Sequence, residues 1–235
     1  MAKKEHYYTR FEDDGIYHIY NRTVDKKPMF TSHENYAYFI RQFDKYLSNY
    51  IKIYAYNLLG NHFHFMIKVN NLTHLTTFQK LPDFDEDNPE TDLTTFKKLS
   101  NLKIENLPEK QKTTHDIVSH QFKKFFQSYA MAFNKQQTRI GTLFQTPFKR
   151  VRVVNEIYLK ELVCYINTNA LKHKLTNDFR DWKWSSYHST ISNKETKLLK
   201  EELISYFGDI DNFIYCHQKF ALIIDSIGRD FFIED

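Results

Sequence analysis

Residues 51 to 69 read "IKIYAYNLLGNHFHFMIKV", two runs of strand-forming residues separated by Gly60-Asn61, a turn-like pair. Runs this close can pair only as an antiparallel hairpin, because parallel strands need a crossover of about a dozen residues or more. The hairpin therefore fixes two neighbours of a sheet. Upstream, "GIYHIYNRTV" from Gly15 alternates apolar and polar residues and predicts a first strand. Ser32 then stands where a cap belongs, before "HENYAYFIRQFDKYLSNY", in which Tyr36, Phe39, Ile40, Phe43 and Leu47 recur at helical spacing. Strand, helix, strand, strand is half of a ferredoxin-like (RRM-like) sheet. Downstream, "HDIVSHQFKKFFQSYAMAFNKQ" predicts a long amphipathic helix, "GTLFQTPFKRVRVV" a turn and a fourth strand, and "NEIYLKELVCYINTNALKHK" a further helix capped by Asn155. The expected class is α+β, an antiparallel sheet with helices packed on it. The expected division is a domain over residues 1–190 and a small helical C-terminal extension over 191–235.

Charge separates two regions of the chain. Between Ile117 and Asn155 there is no Asp or Glu, while Lys123, Lys124, Lys135, Arg139, Lys149, Arg150 and Arg152 all fall there. The stretch "PDFDEDNPETD" from Pro82 is the reverse, with no base and no helical or strand period, and predicts a mobile acidic insertion at about 78–112. Aromatic residues make up 17% of the chain. Rings with cations suit single-stranded nucleic acid, where bases stack and phosphates meet lysine and arginine, although rings in this number also suit an ordinary core. Cys164 and Cys216 lack the spacing of a zinc or redox motif and are expected to be plain thiols. No run approaches the ~18 to 20 apolar residues of a membrane span, and "MAKKEHYYTRFEDD" lacks the apolar centre of a signal peptide, so a cytoplasmic protein is expected.

On a strand His62 and His64 point to one face while Phe63 and Phe65 point to the other, into the core. Two imidazoles side by side on a sheet surface are either ordinary surface histidines or two-thirds of a metal site, since a metal centre that does chemistry usually has about three protein ligands. A second constellation is "YINTN", Tyr165 to Asn169. Residues four apart on a helix share a face, so a phenol and an amide oxygen project together, one able to be a nucleophile and the other a ligand. Packing of Tyr165 in a core is the plain alternative.

At these residues the sequence resembles the single-tyrosine HUH transposases, and especially the REP-associated tyrosine transposases. The resemblance runs from about Gly15 to Tyr187 and rests on "NHFHFMIKV", "GTLFQTPFKRVRV", "YLKELVCYINTNALKHKL" and "DWKWSSY", four motifs in the family's order. One departure is Ala170, where the family usually has proline. The resemblance implies an HUH-type nuclease core in which His62, His64 and Asn169 are metal ligands and Tyr165 is the nucleophile. The implied activity is that of a metal-dependent endonuclease and strand transferase acting on single-stranded or hairpin DNA through a 5′-phosphotyrosine intermediate. The implied cofactor is a divalent cation, Mg²⁺ or Mn²⁺, and the implied place of work is the nucleoid. Two imidazoles favour Mn²⁺ in affinity.

Lys123, Lys124, Arg139, Lys149, Arg150 and Arg152 are the candidate DNA contacts. Tyr129 is the alternative nucleophile, weakened because its neighbour one turn on is Phe133, which cannot ligate a metal. Other functions stay open: a non-catalytic or domesticated single-stranded nucleic-acid binder on the same fold, and a metal phosphoesterase without a covalent step. No membrane partner is expected, and the sequence leaves a homodimer open.

Overall fold

The computed structural model describes residues 7–73 and 112–227. The acidic insertion expected at about 78–112 lies outside the described residues, save Lys112 at its end. The elements follow in the order β1 (Ile16–Arg22), α1 (His33–Leu47), β2 (Ile51–Leu58), β3 (His62–Val69), α2 (Thr114–Gln136), β4 (Lys149–Arg152) and α3 (Glu156–Lys172). A 3₁₀ turn (Phe179–Asp181), α4 (Tyr187–Ile191), α5 (Lys200–Phe207) and α6 (Ile210–Ile227) complete the chain. The four strands form one sheet in the order β2-β3-β1-β4, with every neighbouring pair antiparallel.

Each boundary has a local cause. Asn155 caps α3 by accepting from the Tyr158 N–H at 2.8 Å, and Thr113 and Asp116 form a reciprocal capping box at the start of α2. Ser32 stands at the cap position of α1, but its side chain makes no capping bond. The β2–β3 turn is held by its backbone: the Gly60 carbonyl accepts from Met29 N at 2.8 Å and Phe30 N at 3.2 Å. A Cβ on Gly60 would meet nothing within 4 Å, so this turn does not need glycine for space.

The alternation of β1 and β3 feeds two cores. Tyr17, Ile19, Phe63, Phe65 and Ile67 join α1 and α2 through Phe39, Phe43, Phe122, Phe125 and Tyr129. On the opposite side Tyr54, Ala55 and Met66 join α3 through Leu162, Val163 and Ile166, and α5 and α6 through Leu203, Phe207 and Phe213. Along β3 only Lys68 escapes full burial. The histidine face is therefore not the open sheet surface that alternation alone suggested, because α3 lies over it. Side chains from Leu199 to Ala221 share the second core with the sheet.

"WKWSSY" closes the β2 edge. Trp184 stacks on Tyr36 with centroids 4.5 Å apart, its carbonyl accepts from Leu58 N at 3.0 Å, and Trp182 Nε1 donates to the Leu58 carbonyl at 3.2 Å. Both cysteines are free thiols. Among the described residues no helix is long and apolar enough to cross a membrane.

Candidate active site

Three elements meet at the histidines. β3 carries His62 and His64 on the face under α3, with ring centroids 5.4 Å apart. β1 lies antiparallel beside it in the register Tyr20↔His64 and Arg22↔His62. α3 brings Tyr165, Asn169 and Lys172 along one stripe, spaced four and three residues apart. The Tyr165 ring meets His64 edge-on at 5.6 Å and His18 at 6.5 Å. Lys172 Nζ lies 5.4 Å from the centre of the same ring. At the end of α3 the capping residue His173 sets its ring 4.5 Å from that of His62. The structure therefore brings His62, His64 and Tyr165 together, with Asn169 fully buried one turn after the phenol.

Burial sets the charge state of the imidazoles. His64 is 1% exposed, and desolvation, assisted by His173 and Lys172, pushes its pKa down to about 3. Burial likewise pushes His173 down to about 4, with Lys172 and Arg22 adding to the effect. Burial also lowers the Lys172 pKa. Neutral imidazole is the form that binds a cation. Each ring of the pair has a partner on Nδ1: His62 Nδ1 donates to Asn61 Oδ1 at 2.7 Å, and His64 Nδ1 shares a hydrogen bond with His18 Nε2 at 2.9 Å.

The two histidines would need the Asn169 amide to make three protein ligands for a divalent cation. Among the described residues no group of three or more His, Cys, Asp or Glu side chains could hold a metal ion. The set that the sequence names is two imidazoles on β3 and an amide, Asn169, buried on α3. The other ends of these groups, Nε2 of both histidines and Oδ1 of Asn169, are buried atoms with no hydrogen bond, although each residue is engaged elsewhere. Two nitrogens and a neutral oxygen suit Mn²⁺ or Mg²⁺ with positions left for water and phosphate oxygens.

Tyr129 is elsewhere. It is 1% exposed in the core between the sheet, α1 and α2, its hydroxyl donates to the Met29 carbonyl at 2.7 Å, and burial raises its pKa far out of reach of neutral pH.

The basic block divides. Lys123 and Lys124 are exposed on α2, and Lys149 lies 5.2 Å from the Tyr7 ring and 5.4 Å from the Tyr20 ring, on the cleft that holds the histidines. Arg150 is a structural residue: its Nε donates to the Thr9 carbonyl at 2.7 Å, and its guanidinium lies 5.5 Å from the centre of the Phe11 ring and 5.3 Å from that of Phe148. Arg152 pairs with Glu12. Arg139 holds its own loop by donating to the Thr142 carbonyl at 2.9 Å and to Asn134 Oδ1 at 3.1 Å.

Sequence reasoning missed several residues here. Tyr20, Asn21, Arg22 and Gln145 line the cleft with the histidines and Lys149, and Asn21 and Gln145 continue into a groove along α2 beside Lys123 and Asn134. His18 and Tyr20 carry the same two-residue alternation as the recognised histidines and could have been found by it. Lys172 and His173 lie one turn beyond Asn169, which helical spacing also exposes. Gln145 comes from a loop and has no such period.

No family model matches the chain, and no curated protein matches it. Among solved structures the chain is similar to a REP-associated tyrosine transposase bound to a REP hairpin, with a TM-score of 0.52 and 14% identity over 79% of this chain and 85% of that one. At that identity the likeness shows the fold: a mixed arrangement of helices on a four-stranded antiparallel sheet.

Proposed function

We propose that this protein is a metal-dependent single-stranded DNA endonuclease and strand transferase, a transposase-type enzyme that works through a covalent 5′-phosphotyrosine at hairpin DNA. The observation that carries the reading is the Tyr165 ring set edge-on 5.6 Å from His64, an imidazole that lines a cleft together with His62 and Lys149. The order of the elements and the strand order β2-β3-β1-β4 suit a ferredoxin-like sheet. The likeness to a transposase bound to a DNA hairpin supports a DNA partner.

In this reading the Tyr165 oxygen attacks the phosphorus of one phosphodiester. The new O–P bond joins the tyrosine to the 5′-phosphate as the bond to O3′ breaks. The phenolic proton is lost, and O3′ takes one up to leave a 3′-hydroxyl. One ester replaces another, so a different 3′-hydroxyl can reverse the step and join strands without a nucleotide triphosphate. Bound at His62, His64 and Asn169, Mg²⁺ or Mn²⁺ would polarise the phosphoryl oxygens and offset the charge that builds on them. α3 holds Tyr165 and Asn169 at fixed spacing, which lowers the entropic cost of the attack. Lys172 adds positive charge beside the phenol, and Lys149 is placed for an incoming phosphate.

The test incubates the protein with labelled single-stranded and hairpin oligonucleotides and Mn²⁺, then separates the products under denaturing conditions. A denaturant-resistant adduct is expected that is lost with EDTA and in Tyr165→Phe. Cleavage that survives Tyr165→Phe would replace the reading with a phosphoesterase. Binding that is indifferent to EDTA, with no cleavage of any substrate, would replace it with a non-catalytic binder.

A further inference from the structure

We propose that His18 is a positioning residue that fixes the proton of His64 on Nδ1 and so leaves Nε2 with the lone pair a cation needs. This rests on the reading of His64 as a metal ligand. His18 lies on β1 and His64 on β3, in a register that pairs His18 with Met66 and Tyr20 with His64, so the two imidazoles are diagonal neighbours on one face. Their rings stack with centroids 5.2 Å apart and 20° between planes. His18 Nε2 lies 2.9 Å from His64 Nδ1, and His18 is itself buried, at 7% exposure.

A neutral imidazole carries one N–H, and two facing ring nitrogens share a single proton. If that proton belongs to His18, then His64 carries its own on Nε2 and cannot ligate through that atom. If it belongs to His64, His18 Nε2 accepts it and His18 keeps its own proton on Nδ1. Only the second arrangement makes His64 a ligand, and it requires His18 to be the acceptor. His62 has a matching arrangement: its Nδ1 donates to Asn61 Oδ1 at 2.7 Å. Each imidazole of the pair thus has a separate acceptor, Asn61 from the turn and His18 from the neighbouring strand. Tyr20 stacks on both His18, at 4.7 Å, and His64, at 5.6 Å, which limits rotation of either ring.

Two measurements decide the matter. Long-range ¹H–¹⁵N correlation spectra of the metal-free wild-type protein report which nitrogen of each buried histidine carries the proton, and His64 is expected to carry it on Nδ1. Mn²⁺ binding, followed by the electron paramagnetic resonance of the free ion, is expected to weaken about 10- to 100-fold in His18→Leu, the range found when the partner of a ligating histidine is removed. His18→Gln, which restores an acceptor, should recover most of that loss, whereas a purely space-filling role would favour the leucine. A proton on Nε2 of His64, or Mn²⁺ binding in folded His18→Gln no tighter than in His18→Leu, overturns the proposal. A wild-type protein with the proton on Nδ1 that binds no Mn²⁺ upholds the positioning by His18 and overturns the metal reading instead.

Discussion

At the scale of single residues the two tyrosines separate by what holds them. Tyr165 is half-buried against imidazoles, whereas Tyr129 is enclosed and its hydroxyl is committed to Met29. Tyr165→Phe is expected to abolish the adduct while the melting temperature stays near that of wild type. Tyr129→Phe is expected to form the adduct normally but to lose about 1 to 3 kcal/mol of stability, since the buried Met29 carbonyl loses its donor. Denaturant melts and an adduct assay on both variants check this, and an adduct mapped to the Tyr129 peptide would reverse the assignment. Pairwise spacing made this much legible: alternation paired His62 with His64, and a four-residue step paired Tyr165 with Asn169. It could not show that α3 covers the histidines, because cover is supplied by an element about a hundred residues away.

At the scale of elements, α3 is held by buried polar contacts on both of its sides. Asn57 Nδ2 on β2 donates to the Ile166 carbonyl at 2.7 Å. Asn167 Oδ1 accepts from Ser186 Oγ at 2.7 Å, and Asn167 Nδ2 donates to His217 Nε2 at 3.0 Å, while His217 Nδ1 donates to the Phe213 carbonyl at 2.7 Å. This network ties α3 to β2 on its sheet side and, through Asn167, to the segment before α4 and to α6. Ala170, where proline was expected, is buried within the helix, which continues to Lys172 and so delivers that residue and His173 to the site. His217 is fully buried, and desolvation pushes its pKa down to about 4 against an ordinary 6.5. The unfolded chain then binds a proton there at a pH where the folded one does not. Stability is fully present above about pH 6.5 and falls as pH drops toward 4, by up to ~1.4 kcal/mol per unit for each such imidazole. His64 and His173 act in the same direction. Urea melts at pH 7 and pH 5 should show the loss, and His217→Gln should flatten the dependence; stability unchanged between those pH values would contradict the burial argument. α1, α2 and α3 were legible from their period, although the cap expected at Ser32 makes no bond and α4 was not foreseen. The network was not, because Asn57, Asn167, Ser186 and His217 follow no common spacing.

At the scale of the whole molecule, the basic block is smaller than it reads. Of the six candidate DNA contacts, Arg139, Arg150 and Arg152 are committed to loop carbonyls, the N-terminal segment and Glu12, which leaves Lys123, Lys124 and Lys149. Single-stranded DNA loses roughly 0.7 in the salt slope for each phosphate neutralised. A slope near −2 is therefore expected in place of the roughly −4 that six basic residues would give. Titrations with a fluorescent single-stranded oligonucleotide between low and high salt measure it, and a slope near −4 would return the arginines to the interface. A run of like charges in a sequence shows where charge is available but not which side chains the fold has already used. The sheet and its helices were legible because hydrophobic period is local, whereas the commitment of a guanidinium depends on the chain that happens to lie beside it.

The second core has a consequence for how the protein is made. α3, which carries Tyr165, rests on β2 and β3 on one side and on α5 and α6 on the other. During synthesis the first three strands and α1 leave the ribosome before Tyr165, and the helices that cover the far wall of α3 leave after it. A nascent chain stopped near residue 190 would have its phenol and imidazoles but would leave Leu162 and Val163 short of their cover. On the function proposed above, competence to cut is therefore expected to arrive with the last helices and not with Tyr165 itself.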